Sequence, residues 1–297
     1  MRFFKSRLII LLGALFLSIA SIQSAWSAPK AEVFGQLVAG FDAAISPDGT
    51  RVAVIRAVDG NYVVQIVALD KEPNDGNDAL ALGPGAKPKW IKWANNDRVF
   101  VALWGSFEYG EARQTTGSRL KDSAYNSASS TAAITVSSIY SIDSDTLEGR
   151  ILVRPQGFRQ YNDVVLDWLE DDPDYVLMEY AGDGSDQIYP DVRKVHVVSG
   201  RDSVVHRKSF GIADWITTTD GQVIAGYGFT GSSGLNVKVI VRDPQSEKFV
   251  NISDFAGLSV DDNIVSGFPD MERVVIRAFR DQDTRGLHIY DLRKQAF

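Results

Sequence analysis

Apolar and polar positions along this chain fall into short runs, and the runs recur. Arg51-Val52-Ala53-Val54-Ile55-Arg56, Arg98-Val99-Phe100-Val101-Ala102-Leu103 and Arg273-Val274-Val275-Ile276-Arg277 are brief apolar stretches rich in β-branched residues, each placed directly behind a turn-forming cluster. Runs of this kind predict inner strands covered on both faces. The clusters that open the units are Ser46-Pro47-Asp48-Gly49, Asn95-Asn96-Asp97, Asp171-Asp172-Pro173, Thr219-Asp220-Gly221 and Pro269-Asp270. In such turns Pro presets φ and Gly supplies φ > 0 without a steric penalty. The strands that close the units are Gln65 to Asp70, Ile139 to Asp143, Val195 to Ser199, Val239 to Asp243 and Leu287 to Asp291.

From turn to strand end the spacings are 22, 46, 27, 23 and 21 residues. The long one is explained by residues 106–133, a stretch rich in Ser, Thr, Ala and Gly without a strand period, which reads as a loop inserted into the second unit. A repeat of roughly 45–50 residues with about four strands per unit predicts a β-propeller blade. The expected fold is therefore all-β, a propeller of about five blades. A β-sandwich matches the strand content but not two landmarks per unit keeping step. Helical periodicity is scarce; one short helix is expected over Ala31 to Leu37.

The N-terminus has a separate character. Arg2, Lys5 and Arg7 precede an apolar core from Leu8 to Ile22, and Ala25-Trp26-Ser27 offers a cleavage site. Residues 1–27 are expected to be a signal peptide and 28–297 the propeller domain, with an uncleaved anchor as the alternative. Loss of three positive charges takes the net charge from −7 to −10. A chain so acidic is a poor partner for nucleic acid or an anionic membrane surface, and no integral membrane span is expected after removal of the signal. The absence of Cys excludes disulfides, thiolate metal sites and lipoprotein attachment. The expected compartment is periplasmic or secreted.

Candidate chemistry is sparse. Gly231-Ser232-Ser233-Gly234 lacks the glycine spacing and the following helix of a nucleophile elbow and reads as a hairpin loop. His196, His206 and His288 are scattered, unlike the ligands of a zinc site. The acidic clusters Glu170-Asp171-Asp172, Asp261-Asp262 and Asp281 with Asp283 read as solvated turns, and no calcium-loop spacing is present. No metal or other cofactor is expected. Trp90, Trp93, Trp168 and Trp215 stand a few residues before successive turns, which predicts packing between blades. The 106–133 loop, with Phe107, Glu108, Tyr109, Arg113 and Arg119, is the most plausible functional element by position.

Val33-Phe34-Gly35-Gln36-Leu37, then Ala44 to Ala53 around the S-P-D-G turn, then Trp93-Ala94-Asn95-Asn96-Asp97-Arg98-Val99 resemble the N-terminal propeller of the prolyl oligopeptidase family of serine peptidases, in its secreted bacterial branch. The S-P-D-G turn is shared with other propellers, including the periplasmic TolB-like type. The resemblance covers roughly residues 31–297 and implies an α/β-hydrolase domain, bearing Ser, Asp and His, after the propeller. Because the sequence stops six residues past the fifth closing strand, an incomplete ring without the hydrolase domain is expected. No catalytic residue can be carried over. Dipeptidyl-peptidase relatives hold the substrate amino group with propeller Glu residues, for which Glu108 and Glu179 are the conceivable equivalents here. The implied role is a filter that admits short peptides to the hydrolase and contributes no bond-breaking group. The alternatives are a stand-alone binding scaffold of the TolB-like kind and a self-contained hydrolase using metal or paired carboxylates.

Overall fold

A strand such as Arg51–Val58 leaves half of its backbone polar groups on each edge, and these need neighbours. The computed structural model describes residues 37–70, 79–108, 133–152, 161–180, 189–230, 236–253, 258–259, 261–280 and 283–297. Met1–Val38 forms one unit and Ala39–Phe297 another; all described strands belong to the second. The expected signal peptide, and all but Leu37 of the expected helix, lie outside the described residues.

Among the described residues there are strands and turns but no helix. The first sheet runs β1 (Gly40–Ile45), β2 (Arg51–Val58), β3 (Asn61–Ala68) and β4 (Ala79–Ala81). The second runs β5 (Lys87–Asn95), β6 (Arg98–Glu108), β7 (Ala133–Asp143) and β8 (Gly149–Ile151), with β9 (Tyr161–Asn162) parallel to β7 at Ser137 and Ser138. The third contains β10 (Val164–Asp167), β11 (Tyr175–Tyr180), β12 (Asp191–His196) and β13 (Asp202–His206). The fourth contains β14 (Asp214–Thr217), β15 (Val223–Thr230), β16 (Asn236–Arg242) and β17 (Phe249–Asn251), and the fifth β18 (Asn263–Gly267), β19 (Arg273–Ala278) and β20 (Gly286–Asp291). Apart from β9, every sheet is an antiparallel meander in chain order. First strands of successive sheets lie side by side, β1 by β5, β10 by β14 and β14 by β18, which is the arrangement of propeller blades. Within the 106–133 segment, β6 continues to Glu108 and β7 begins at Ala133, while 109–132 lies outside the described residues.

The core is divided among four junctions. Ala53, Ile55 and Val64 of the first sheet meet Ile91, Trp93, Val99, Val101 and Ile142 of the second. Phe100, Ile139 and Leu152 of the second meet Val176, Met178, Val195 and Val197 of the third. Leu177 and Val192 meet Trp215, Val223 and Ile240, and Val239, Val241 and Ile252 meet Ile264, Val274, Ile276 and Tyr290. The inner strands of the second to fourth sheets therefore feed two junctions, one from each face, which is why runs such as Val99-Phe100-Val101 are apolar at consecutive positions. Trp93 and Trp215 are buried in junctions, and Trp90 and Trp168 meet edge to face at 6.3 Å across one. These four tryptophans are packing residues, as their spacing predicts.

The turns at one end repeat in chemistry. In the opening turn Ser46 Oγ donates to Asp48 Oδ1 at 2.6 Å, Arg51 N donates to Ser46 Oγ at 3.0 Å, and Gly49 has φ 72°. Thr218, Asp220 and Gly221 repeat this in the fourth sheet, where Gln222 N donates to Thr218 Oγ1 at 3.0 Å. The Ser46 hydroxyl first, and then Thr50, hold Asp48 below the usual carboxylate range. The closing Asp explains itself too. Asp143 Oδ1 accepts from the N–H groups of Asp145 and Thr146, Asp243 from those of Gln245 and Ser246, and Asp291 from those of Arg293 and Lys294. In the third sheet His196 Nδ1 takes that place, accepting from Val198 and Ser199. Each turn then reverses through a positive φ at Leu147, Gly200, Glu247 or Gln295.

Phe100 is fully buried in the second junction. Phe100→Ala is expected to cost about 3–5 kcal/mol, read as a lowered urea midpoint with an unchanged slope.

Candidate functional site

The tight turns gather at one end of the sheets, where only the connection between β3 and β4, from Ala68 to Ala79, is longer among the links between neighbouring strands of one sheet. At the other end lie the starts of β5, β10, β14 and β18 and the connections between second and third strands. Only the first sheet closes that end tightly, through Asp59 and Gly60, both at positive φ. The second to fifth sheets use longer connections, and the longest separates Glu108 from Ala133. Variable connections on a rigid frame are where binding groups concentrate.

At this end, between the second and third sheets, five side chains converge. Lys89 projects from β5, Trp104 from β6, Ser137 from β7 and Tyr161 from β9, while Asp163 occupies the link from β9 to β10. Lys89 Nζ lies 2.5 Å from Asp163 Oδ2 and 4.2 Å and 5.7 Å from the ring centroids of Trp104 and Tyr161. The two rings meet edge to face at 5.7 Å. Ser137 Oγ donates to Asp163 Oδ1 and accepts from Asn162 N at 3.2 Å, and Asn162 Nδ2 donates to Ser137 O at 3.3 Å. These last bonds explain β9: two residues pair with β7 so that Asp163 enters the junction with its carboxylate already satisfied.

The chemistry follows from burial. Ser137 is inaccessible and its hydroxyl is committed, so it is no nucleophile for a solute. The Asp163 carboxylate is buried, and its two oxygens face Lys89 Nζ and Ser137 Oγ. The solvent side is aromatic: Tyr161 is exposed and Trp104 half-buried. Such a rim suits stacking and peptide-like contact. Among the described residues no group of three or more His, Asp or Glu side chains is placed to hold a metal ion. No helix among them is long and apolar enough to cross a membrane.

Glu108 and Glu179, the carboxylates singled out in the sequence, come from the same end of adjacent sheets. Glu108 closes β6, where its backbone pairs with Ala133. Glu179, on β11, is fully buried and accepts from Trp215 N at 2.9 Å, spanning the junction between the third and fourth sheets. Trp215 Nε1 donates to Pro190 O at 2.8 Å beside it. The three histidines stay apart in role: His196 caps a turn, His288 faces Phe297, and His206 packs 4.4 Å from Trp215 and 4.7 Å from Phe249. Burial first, and Arg242 second, push His206 below the ordinary imidazole value, against the pull of Asp191. Sequence reasoning missed Lys89, Trp104, Ser137, Tyr161 and Asp163, because Lys89 and Asp163 stand 74 positions apart and share no motif.

No family model matches the chain, and no curated protein matches it. Similar solved structures include a Pyrococcus horikoshii acylaminoacyl peptidase, 14% identical at a TM-score of 0.47, with 86% of this chain and 38% of that one covered. TolB from Acinetobacter baumannii is 14% identical at a TM-score of 0.39, covering 86% of this chain and 53% of that one. The β-propeller domain of the trilobed protease from Pyrococcus furiosus, of open velcro topology, is 12% identical at 0.43, covering 86% and 68%. This chain spans 38% of the length of the acylaminoacyl peptidase. Likeness at such TM-scores carries no argument about what this chain does.

Asp163→Ala removes the carboxylate that Lys89 Nζ and Ser137 Oγ share in the junction and is expected to cost about 3 kcal/mol, seen in urea unfolding. Asp163→Asn, which keeps an acceptor for Ser137, loses less. For His206 the folded chain binds its proton less readily than the unfolded chain. Stability is therefore full above the ordinary value of 6.5 and declines as pH falls through it. His206→Phe, which keeps the ring, is expected to flatten the thermal midpoint between pH 7 and pH 5 relative to the parent.

Proposed function

We propose that this chain is the non-catalytic propeller portion of a secreted peptidase of the prolyl oligopeptidase kind, where it screens and orients peptides for an α/β-hydrolase domain. The observation that carries this is the division between the two ends. One end carries, apart from the longer connection between Ala68 and Ala79, tight turns whose polar groups satisfy one another. The other carries the long connections and the Trp104–Tyr161 rim, behind which Lys89, Ser137 and Asp163 are already engaged with each other. A surface of that kind can hold an extended chain by its rings and limit its approach, while bond cleavage is left to another domain. Glu108, at the root of the longest connection, is the carboxylate proposed to meet a peptide amino group. Glu179 serves the neighbouring junction. By the basic and then apolar character of residues 1–27, the proposed compartment is periplasmic or secreted.

The test is binding without turnover. Labelled short peptides added to the purified chain are expected to gain anisotropy and to remain intact by mass spectrometry. Trp104→Ala and Tyr161→Ala are each expected to weaken binding about tenfold, which corresponds to about 1.4 kcal/mol. Unaided cleavage would refute the reading. Failure to bind peptides, with retention of a folded protein partner, would instead favour a stand-alone docking propeller of the TolB-like kind.

A further inference from the structure

The closing strands share a backbone landmark. The residue after the closing position donates to the turn before the second strand: Leu69 to Thr50, Ser144 to Asp97, Val197 to Asp174 and Leu292 to Glu272. The closing positions are thus Ala68, Asp143, His196 and Asp291, and Asp243 takes this place in the fourth sheet, where Pro244 has no N–H to donate. Four residues earlier stand Val64, Ile139, Val192, Val239 and Leu287. The first four are 0–1% exposed, each inside the junction with the following sheet, whereas Leu287 is 67% exposed. Ile289, two residues further on, is 50% exposed, while its fourth-sheet counterpart Val241 is 2% exposed. The fifth sheet therefore carries a junction face, of the same design as the other four, with no sheet against it among the described residues.

The opposite face of the first sheet is open in the same way. Leu69 is 57% exposed where its counterparts Val197 and Leu292 are 0% and 7% exposed. Ile45, which pairs with Val52, is 64% exposed. One molecule thus presents a face built to be followed and a face built to be preceded. At each of the four internal junctions a face of the second kind packs on a face of the first kind. Two different complementary faces on one molecule make a head-to-tail interface. An apolar junction face left in water is a surface that seeks such a partner.

We infer that the occupant is a second copy of this chain, whose first sheet, through Ile45 and Leu69, covers Leu287 and Ile289 of its neighbour. This is independent of the peptide reading above.

The test is light scattering of the purified chain during size-exclusion chromatography over a wide range of concentration. The mass is expected to rise from monomer towards multiples of it. Leu287→Lys and Ile45→Lys are each expected to abolish the rise with circular dichroism and melting unchanged, since both side chains are exposed. Mixing the two variants is expected to restore a dimer, because each retains the face that the other lacks. A parent that stays monomeric throughout, an Ile45→Lys variant that still dimerises, or a mixture that fails to recover dimer mass would each overturn the inference.

Discussion

A sheet with two apolar faces cannot border water on either of them without loss. That constraint organises this molecule. In the second to fourth sheets the second and third strands send alternate residues to opposite junctions, so none of these sheets has a core of its own. Val99 and Val101 serve the first junction while Phe100, between them, serves the second. Stability is then shared between neighbours, as in other repeat architectures. A cavity in one junction is expected to be felt by two sheets. The same constraint makes the outermost faces costly, and this is where exposed aliphatic residues collect.

The second organising feature is the assignment of work to the two ends. At the turn end, acidic and hydroxyl side chains fold back onto the N–H groups of their own turns. Asp48, Asp143, Asp243, Asp270 and Asp291 are all held below the usual carboxylate range by such bonds and by neighbouring cations. Carboxylates used in this way are hydrogen-bond acceptors for backbone, not acids or bases for a solute. Their abundance accounts for much of the chain's acidic balance without any appeal to a binding partner. The loop end has the opposite economy, with long connections and exposed rings.

Legibility from sequence followed the range of the interaction. The opening turns are written in four consecutive residues, and Ser46-Pro47-Asp48-Gly49 folds as its composition dictates. The closing Asp was visible as a recurrence, although its role as a turn cap needed coordinates. The tryptophans were legible because their positions repeat. The Lys89–Asp163 pair was not, since its partners come from different sheets and each is an ordinary residue in its own segment. Glu179 was open to a different reading: a lone acid in Tyr175-Val176-Leu177-Met178-Glu179-Tyr180 stands among residues that strand alternation buries. A carboxylate there has to find a donor inside the protein.

That buried carboxylate also shows how aliphatic junctions acquire a defined register. Contacts among Val, Ile and Leu are nearly indifferent to a small slide of one sheet over the next. Directional bonds are not. At the first junction Asp42 accepts from Ile91 N at 2.9 Å, and Trp93 Nε1 donates to Ala44 O at 2.9 Å. At the third, Glu179 accepts from Trp215 N, and Trp215 Nε1 donates to Pro190 O. The two junctions use the same device: an acid of the earlier sheet takes a backbone N–H from the first strand of the later one, and an indole of that strand reaches back to a carbonyl. The third-junction peg stands at the start of β14, whereas the first-junction peg lies from the middle of β5 towards its turn end. Register at these two junctions is therefore fixed by directional bonds between sheets that never touch a solute.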